Sequence, residues 1–219
     1  MGVGNANSGP LRFRCALRDL IRCGGSTSGL LARRRIHQPA GNVRRRISFA
    51  DGTTASVYRE TVIDGTPPAK PAVLVVGFRL RRIRSDRAHA LFRRESELNT
   101  IFFAGFPGLI SKLWLGHDQN GLYRGLYQWD DPDLAVSYAR ALWWVLAVVS
   151  EPGTIHYKVL PGVWLDRLLT TPALVDAEGA SNDRWWLPVA TEAPASPPAT
   201  TPRDCSPSRR DPQALQPRR

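Results

Sequence analysis

Residues 109–129 read LISKLWLGHDQNGLYRGLYQW and carry the clearest structural signal in the chain. Two runs rich in aliphatic and aromatic residues, 109–115 and 122–129, flank a polar segment that ends in Asn120-Gly121. An Asn-Gly pair between two such runs is typical of a hairpin with a two-residue turn, because both residues tolerate the positive φ angles that this turn requires. The stretch therefore predicts two antiparallel strands.

A two-residue turn also fixes which side chains share a face of the hairpin. It pairs Trp114 with Tyr127 and Lys112 with Trp129, and it places Tyr123 on the same side. The opposite side then carries Leu113, Leu115, Leu126, Ser111, Arg124 and Gln128. One face of the hairpin is predicted to be aromatic, and the other to be leucine-rich with a few polar groups.

The segment before the hairpin predicts a strand and a helix. Residues 72–80, AVLVVGFRL, are a nearly continuous β-branched and apolar run, as expected for a central strand buried on both faces. Ser85 then offers an N-cap, apolar residues follow at helical spacing, and Gly105 ends the pattern. A first helix is therefore expected between Ser85 and Gly105.

The segment after the hairpin predicts a second helix and a last strand. Asp131 combines an N-cap with Pro132 at the first helical position, and the helix is expected to run to about Ser150. Its inward stripe is predicted to be Leu134, Tyr138, Ala141, Leu142, Val145, Val148 and Val149. Residues 154–160 are the last predicted strand.

The order from residue 72 onward is therefore β-α-β-β-α-β, an α+β, ferredoxin-like arrangement with an antiparallel sheet. Both crossovers must be right-handed, so both helices are expected on one face of the sheet. A preceding β-hairpin is predicted from 47–50 and 53–62, which flank Asp51-Gly52. The sheet face without helices would be apolar and uncovered, so we expect a homodimer that closes it.

Charge and composition divide the chain into three regions. Residues 1–46 hold ten arginines against one acidic residue and form a predicted disordered extension, whereas the domain at 47–170 is nearly neutral. Residues 171–219 are rich in Pro, Ser, Thr and Arg and form a second predicted disordered tail. Nucleic acid is therefore expected as a partner only through the Arg-rich N-terminal tail, and a solvated flexible arm is the alternative.

Cysteine and histidine usage argues against disulfides and metals. The three cysteines lie in the two tails, without the paired spacing of a zinc site or a disulfide framework, which favours a cytoplasmic location. The four histidines are scattered, so no metal site is expected. The longest apolar stretch, 141–149, is well short of the roughly 20 residues that cross a bilayer, so no transmembrane segment is expected.

The stretch 78–160 resembles the YdhR-like proteins, within the superfamily of dimeric α/β-barrel, antibiotic-biosynthesis-monooxygenase-like domains. The segments that carry the resemblance are ESELNT at 95–100, FAGFPG at 103–108, SKLWL at 111–115 and GLYRGLYQW at 121–129. The resemblance implies the fold more than the activity, since the superfamily mixes cofactor-free oxygenases, haem-degrading members, isomerases and other domains.

Candidate site residues come from the predicted first helix and from the strands. Helical spacing places Glu95 and Asn99 within the buried stripe beside Phe92, where a carboxylate must be paired, protonated or in a wet pocket. A pocket would make Glu95 a general base and Asn99 a donor to a substrate oxygen. The alternative is that Glu95 pairs with a sheet arginine, Arg79 or Arg124.

The strands supply the remaining candidates. Trp114 and Tyr127 suit a planar or apolar ligand, although large aromatic residues on a sheet are more often core or dimer contacts. Arg124 is a further candidate for substrate binding. His156 on the last strand is a candidate for the catalytic site, with an ordinary surface or core histidine as the alternative.

Two functions are compatible with these residues. The resemblance implies a small-molecule-binding homodimer that acts as a cofactor-independent monooxygenase on an aromatic or polyketide-like substrate, and no cofactor is then required. In that mechanism the deprotonated substrate reacts with oxygen itself, and the protein supplies a base, an oxyanion donor and a dry cavity. The alternative is a non-catalytic carrier of an apolar ligand, or a structural homodimer.

Overall fold

The computed structural model describes four segments of the chain and a few single residues before them. The segments are 34–65, 67–81, 104–171 and 184–193, and the single residues are Arg18, Cys23, Ser26, Thr27 and Gly29. The predicted first helix therefore lies outside the described residues, apart from its expected end. Phe92, Glu95 and Asn99 lie outside them with it.

The described residues form eight strands and two helices. The strands are β1 Ile36–His37, β2 Arg46–Phe49, β3 Thr54–Ile63, β4 Ala72–Arg79, β5 Leu109–Leu115, β6 Leu122–Trp129, β7 His156–Pro161 and β8 Pro188–Glu192. The helices are α1 Pro132–Val149 and α2 Leu165–Thr170. Together they make an α+β fold.

A single antiparallel sheet joins these strands in the order β7-β4-β6-β5-β3-β2-β8, and β1 pairs with β3 beside that path. The observed ranges of β4, β5 and β6 lie within a residue of the predicted strands. The connection from β4 to β5 contains the undescribed residues 82–103. The complete β-α-β-β-α-β order, with a helix in that connection, therefore stays a prediction.

The strand β3 links the N-terminal strands to the rest of the sheet. Its first residues pair with β2 across the turn at Asp51 and Gly52, with Ile47 opposite Ala55. Its later residues pair with β5. The β2–β3 pair is thus a continuation of the main sheet rather than a separate unit in front of it.

The pairing between β5 and β6 differs from the predicted register. Lys112 lies opposite Tyr127, and Trp114 lies opposite Gly125. Each partner is two residues away from the predicted one. A shift by an even number leaves every side chain on its predicted face, so the two-sided character of the hairpin is unaffected.

The cause of the shift is Asp118, which organises the connection before Asn120 and Gly121. The amide of Gly121 donates to the carbonyl of Asp118 at 3.0 Å. The Asp118 carboxylate accepts from the amides of Asn120 at 2.8 Å and Leu122 at 2.9 Å. The prediction of a two-residue turn is therefore wrong, because the turn begins at Asp118 and is held by that side chain.

One face of the sheet is covered by α1. The helix begins at Asp131, whose side chain accepts from the amides of Asp133 and Leu134, so the predicted N-cap is confirmed. The residues of α1 that are buried against the sheet are Ala135, Tyr138, Ala139, Ala141, Leu142 and Leu146. The predicted stripe was wrong at Leu134, Val148 and Val149, which are exposed.

Among the described residues, α1 is the one helix whose length and apolar composition would be enough to cross a membrane. One third of its 18 residues are buried within the protein. The side that is buried contacts β4 and β7. The helix therefore packs against the sheet along one side only.

The opposite face of the sheet is closed by the chain itself. Apolar side chains of β4, β5 and β6 line this face, and apolar side chains of β2, β3, α2 and the segment before β8 pack against them. The first group is Val73, Val75, Leu113, Leu115 and Leu126, and the second is Ile47, Phe49, Ala55, Val57, Leu165, Leu168, Leu169 and Leu187. The expectation of an uncovered face was wrong, because the sheet curls and its own far strands cover it. The homodimer was predicted because that face was expected to be uncovered. It stays a prediction, but this reason for it no longer applies.

Ordered structure also extends past the predicted domain limits of 47 and 170. The strand β1 lies before them, and β8 lies after them. The segment before β8 is held at Trp185, whose ring lies over Gly77. A Cβ atom at Gly77 would come within 2.8 Å of that ring. Parts of both predicted tails therefore belong to the fold.

Candidate functional site

The sheet face under α1 carries two adjacent rows of polar and aromatic side chains. Antiparallel pairing places Thr61, Lys112 and Tyr127 in one row. The next row contains Arg59, Trp114 and Gly125. Together with Tyr138 of α1, the side chains of Arg59, Thr61, Lys112, Trp114 and Tyr127 form what we call the helix-side cluster. All six are at most 8% exposed.

An irregularity in β3 brings Arg59 onto this face. The register against β5 shifts between Val57, which lies opposite Leu115, and Arg59, which lies opposite Trp114. Tyr58 is the extra residue of this β-bulge. Bulges of this kind redirect side chains and are common beside functional sites.

Two basic side chains contact the same indole ring. The Arg59 guanidinium lies 4.0 Å from the centroid of the Trp114 ring, and Lys112 Nζ lies 3.0 Å from it. Lys112 Nζ is also 4.6 Å from the centroid of the Tyr127 ring. Aromatic faces attract cations, and the attraction grows when water is excluded.

Hydrogen bonds and ring contacts fix the aromatic side chains. The Trp114 indole N–H donates to Thr61 Oγ1 at 3.1 Å. The Tyr138 hydroxyl donates to the Tyr127 hydroxyl at 3.5 Å, and the two rings are 5.4 Å apart. Phe106 packs edge-on against Tyr138 at 5.0 Å. These contacts hold the two phenols above the lysine row.

Gly125 makes room for the Tyr127 ring. A Cβ atom at position 125 would lie 2.8 Å from that ring, closer than such atoms approach in proteins. The ring therefore leans along β6 over the glycine, in the row that contains Trp114. Glycine inside a strand commonly marks such a close approach.

Burial shifts the protonation equilibria of the cluster. Desolvation, aided by the charge of Arg59, holds the pKa of Lys112 well below its ordinary value. Desolvation also raises the pKa of Tyr127 and of Tyr138. At neutral pH the phenols keep their protons, while the amine loses its own more readily than a surface lysine does.

A surface cleft lies at the edge of the cluster. Its volume is about 210 Å³, and it lies between β3 and the segment after β1. Its lining residues are Gln38, Pro39, Ala40, Val43, Tyr58, Arg59 and Glu60. Arg59 belongs to both the cleft and the cluster, and the Tyr58 ring is 6.5 Å from that of Trp114. The cleft thus borders the cluster at Arg59.

Arg124 lies on the opposite face and belongs to a different group of residues. Its guanidinium donates to Asp118 and to Asp51, each at 2.5 Å, and to the Trp185 carbonyl at 3.0 Å. Its side chain is fully buried and lies 4.2 Å from the ring of Phe49. All of these partners belong to the protein itself. Arg124 therefore does not join Trp114 and Tyr127 in one site.

The pKa of Asp118 reflects this network. Burial acts to raise it, but hydrogen bonds from the Leu122 amide, from the Arg124 guanidinium and from the Asn120 amide outweigh burial and lower it. The carboxylate therefore stays charged beside Arg124. It connects the β5–β6 turn to the guanidinium, which in turn reaches the β2–β3 turn.

The predicted site residues are only partly brought together. Trp114 and Tyr127 share the helix-side cluster. His156 is exposed on β7, opposite Gly77, with its ring 5.9 Å from that of Trp185. It lies with Trp185 rather than with Trp114. Phe92, Glu95 and Asn99 are outside the described residues. Within the described segments, no group of three metal-ligating side chains occurs.

The sequence interpretation did not single out Lys112, Arg59 and Tyr138 as candidate site residues. A usable signal existed for Lys112, since strand alternation already placed it on the aromatic side of the hairpin. The bulge that turns Arg59 inward leaves no such pattern in the sequence. The contact of Tyr138 with Tyr127 depends on how α1 lies across the sheet.

No protein-family model matches this chain, and no curated protein matches it. Solved structures similar to it include a monooxygenase-like protein from Listeria innocua, with 16% identity and a TM-score of 0.36, where the match covers 51% of this chain and 65% of that one. A second is an uncharacterized ferredoxin fold protein related to antibiotic biosynthesis monooxygenases from Listeria monocytogenes, with 15% identity, a TM-score of 0.38 and coverage of 61% and 85%.

A third similar structure is a heme-degrading enzyme from Listeria monocytogenes. Its identity to this chain is 15% and the TM-score is 0.33, with coverage of 57% of this chain and 95% of that enzyme. With identities and TM-scores this low, the likeness carries no argument about what this chain binds.

Proposed function

We propose that this protein binds a small planar molecule with an acidic oxygen at the helix-side cluster. The observation that carries the proposal is the stacking of two basic side chains, Arg59 and Lys112, on the ring of Trp114. The guanidinium keeps its positive charge in this buried setting, so an anionic oxygen beside it would be attracted, and the Lys112 amine can donate a hydrogen bond to the same oxygen. An aromatic phenolate, enolate or carboxylate has the required chemistry.

The remaining members of the cluster suit the same ligand. The rings of Trp114 and Tyr127 offer flat apolar surfaces, and planar ligands are commonly held by such walls with a few polar groups. The hydroxyls of Tyr127 and Tyr138 stay protonated because their pKa values are raised. They can therefore donate hydrogen bonds to an oxygen of the ligand.

We extend the proposal to a reaction, the cofactor-independent oxygenation of an aromatic or polyketide-like substrate. Removal of a proton from an activated CH₂ group gives a carbanion, and dioxygen accepts its electrons. Loss of one water then leaves a C=O group, so that CH₂ and O₂ become C=O and H₂O. Arg59 would stabilise the enolate oxygen, and Glu95 keeps its predicted role as the base.

The binding proposal is tested by titrating the full-length protein with 2-naphthol and 2-naphthoate and following tryptophan fluorescence. Replacement of Trp114 by leucine should weaken binding at least about tenfold, the loss of roughly 1.4 kcal/mol that a good aromatic contact provides. Trp164→Leu is the matched control, because Trp164 is 44% exposed and lies at the start of α2. Equal affinities for both variants would contradict the proposed site.

Oxygen uptake tests the reaction separately. With a panel of hydroxyaromatic substrates containing an activated CH₂ group, the wild-type protein should consume one O₂ for each carbonyl formed. Glu95→Gln should abolish uptake if Glu95 is the base. Full turnover by that variant would remove the assignment of Glu95.

A non-catalytic carrier is the second candidate function. The hydrogen bonds from Trp114 to Thr61 and from Tyr138 to Tyr127 favour it, because these polar groups partner one another without a substrate. A carrier would bind 2-naphthoate with the same dependence on Trp114 and would consume no oxygen with any substrate in the panel.

The proposal also includes assembly as a cytoplasmic homodimer of the YdhR-like type. Its support is the sequence resemblance at 95–129 and the placement of the cysteines outside the predicted domain. Sedimentation equilibrium at micromolar concentration measures the assembly directly. A monomer at that concentration would remove the homodimer from the proposal and would leave the ligand site unchanged.

A further inference from the structure

We propose that the planar ligand lies partly in the cleft beside β3, and that Glu60 selects ligands with an N–H or O–H group next to the acidic oxygen. The inference rests on the proposed binding function and adds a place and a chemical class to it. That class is planar acids with an adjoining hydrogen-bond donor. Arg59, which belongs to both the cleft and the helix-side cluster, is followed directly by Glu60 in β3.

The cleft exists because the chain leaves the edge of β3 between two points of contact. β1 pairs with β3 up to His37, and the same register would next bring Pro39 opposite Glu60. Proline has no N–H group to donate to a neighbouring strand, so the pairing stops there. The chain returns to β3 at Arg44, whose amide donates to the Val57 carbonyl at 2.8 Å. The gap between these two points is the cleft.

Hydrogen bonds hold the rim of the cleft in place. The amide of Val43 donates to the Ala40 carbonyl at 3.0 Å, and the amide of Arg45 donates to the Asn42 carbonyl at 3.1 Å. The Asn42 side chain donates to Glu60 Oε1 at 2.9 Å and so ties the rim to β3. A site that is already formed loses little conformational freedom when a ligand binds. The cleft of about 210 Å³ therefore has its shape before a ligand arrives.

The lining of the cleft has an apolar part and a charged part. The apolar part is formed by Pro39, Ala40, Val43 and the ring of Tyr58. Surfaces of this kind suit the flat body of an aromatic ligand. The guanidinium of Arg59 stays protonated and attracts the acidic oxygen of that ligand. It also lies 4.0 Å from the centroid of the Trp114 ring, so a ligand at Arg59 meets the helix-side cluster.

The Glu60 carboxylate adds a requirement for a hydrogen-bond donor on the ligand. Glu60 is partly buried, and it accepts from Asn42 through Oε1. An ionised carboxylate has about four acceptor sites, so capacity for a further donor remains. A second acidic oxygen beside this carboxylate would be repelled, whereas an N–H or O–H group would form a charge-assisted hydrogen bond. The two ligand groups must lie close together because Arg59 and Glu60 are consecutive residues.

Two ligands of equal shape test this requirement in the full-length protein. 3-Amino-2-naphthoate carries a donor beside its carboxylate, and 3-methyl-2-naphthoate carries a methyl group of similar size at the same place. Tryptophan fluorescence gives the dissociation constant of each. Wild type should bind the amino compound at least about tenfold more tightly, because a hydrogen bond to a charged group commonly contributes that much.

Three variants separate the carboxylate from the shape of the cleft. In Glu60→Leu the preference for the amino compound should fall to less than about threefold, since the acceptor is gone. Asn42→Ala is the control, because it removes the rim hydrogen bond but keeps the carboxylate, and it should retain the preference. Ala40→Phe places a ring in the cleft from an exposed position and should weaken both compounds about tenfold or more.

The outcomes distinguish this inference from the binding function. If both compounds bind equally well and depend on Trp114, Glu60 does not select the ligand and the binding function alone stands. A preference that survives in Glu60→Leu, or that disappears equally in Asn42→Ala, overturns the role of the carboxylate. Unchanged affinities in Ala40→Phe would show that the ligand lies outside the cleft. If neither compound binds to wild type, both proposals fall.

Discussion

At the level of single residues, Arg124 shows how one side chain can connect distant parts of this chain. Its guanidinium contacts Asp51 in the β2–β3 turn, Asp118 in the β5–β6 turn and the carbonyl of Trp185 before β8. These three segments lie far apart in the sequence. The group therefore acts as a structural link, which explains why an arginine in the middle of a strand is fully buried.

Removing this guanidinium should strongly destabilise the fold. In Arg124→Met the carboxylate of Asp118, which is 4% exposed, loses its charged partner inside the protein. We expect a loss of about 3 to 5 kcal/mol in the free energy of unfolding, measured by urea denaturation. Arg46→Met is the control, because Arg46 and Glu192 form an exposed pair with a 3.8 Å separation and should contribute less than about 1 kcal/mol. Equal losses in the two variants would contradict a special role for Arg124.

The lowered pKa of Lys112 predicts that the stability of the fold depends on pH. Desolvation and the charge of Arg59 lower its pKa in the folded protein, while the unfolded chain keeps the ordinary value. Between these two values the unfolded state binds more protons, so the free energy of unfolding rises with pH and falls as pH drops through the folded pKa. From about pH 7 to about pH 9.5, wild type should therefore gain stability relative to Lys112→Met.

The control for this pH dependence is Lys158→Met, whose stability should follow wild type in parallel over the same range. The measurement stops below the ordinary tyrosine pKa of about 10. Above it the raised pKa values of Tyr127 and Tyr138 would make the free energy of unfolding fall with pH, which opposes the effect of Lys112. A constant difference between wild type and Lys112→Met across the range would show that Lys112 keeps its charge in the fold.

At the level of secondary-structure elements, β6 depends on a glycine at one position. Gly125→Ala should cost about 1 to 3 kcal/mol, because the new Cβ meets a Tyr127 ring that is 3% exposed and has little room to move. It should also weaken binding of 2-naphthoate, since that ring is a wall of the site. Gly116→Ala is the control, as its Cβ would meet only the Ser56 carbonyl oxygen at 3.8 Å. A fully stable Gly125→Ala protein would show that the ring is not held in place.

The elements also show what could be predicted from the sequence. Strong local signals gave β4, β5, β6 and the beginning of α1, since apolar runs and the cap at Asp131 act within a few residues. The register of β5 against β6 was wrong by two residues because the side chain of Asp118, rather than Asn120, organises the turn. Local pattern cannot show which of several turn residues accepts the amide hydrogen bonds.

The site was less predictable than the strands. Alternation placed Lys112, Trp114 and Tyr127 on one face, and the structure does bring these three together. The position of Arg59 depends on a bulge and on the pairing of β3 with β5, and about 45 residues of sequence separate these two strands. His156 was placed in the site from its strand alone, and its contact with Trp185 shows that it faces the other side. Long-range pairing, rather than local pattern, determines such cases.

At the level of the whole molecule, the chain covers both faces of its own sheet. The face under α1 holds the polar and aromatic cluster, and the other face holds the leucine-rich core closed by β2, α2 and the residues before β8. The predicted two-layer sheet with a bare side did not place Trp185 and Leu187 against that side, because they follow a stretch rich in turn-forming and polar residues. Their contribution arises only when the ends of the chain meet the sheet.

Two truncations test whether this C-terminal closure stabilises the domain. Ending the chain after residue 183 removes Leu187, which is 2% exposed, and the carbonyl that Arg124 contacts. Exposure of the core beneath it should cost at least about 2 kcal/mol, the value for one leucine side chain, and should lower the melting temperature measured by circular dichroism. Ending the chain after residue 193 keeps β8 and removes only the rest of the predicted tail, so it should melt with the full-length protein. If both truncated chains melt together with wild type, the leucine-rich face does not need its C-terminal cover, and the sheet would again require a partner to close it.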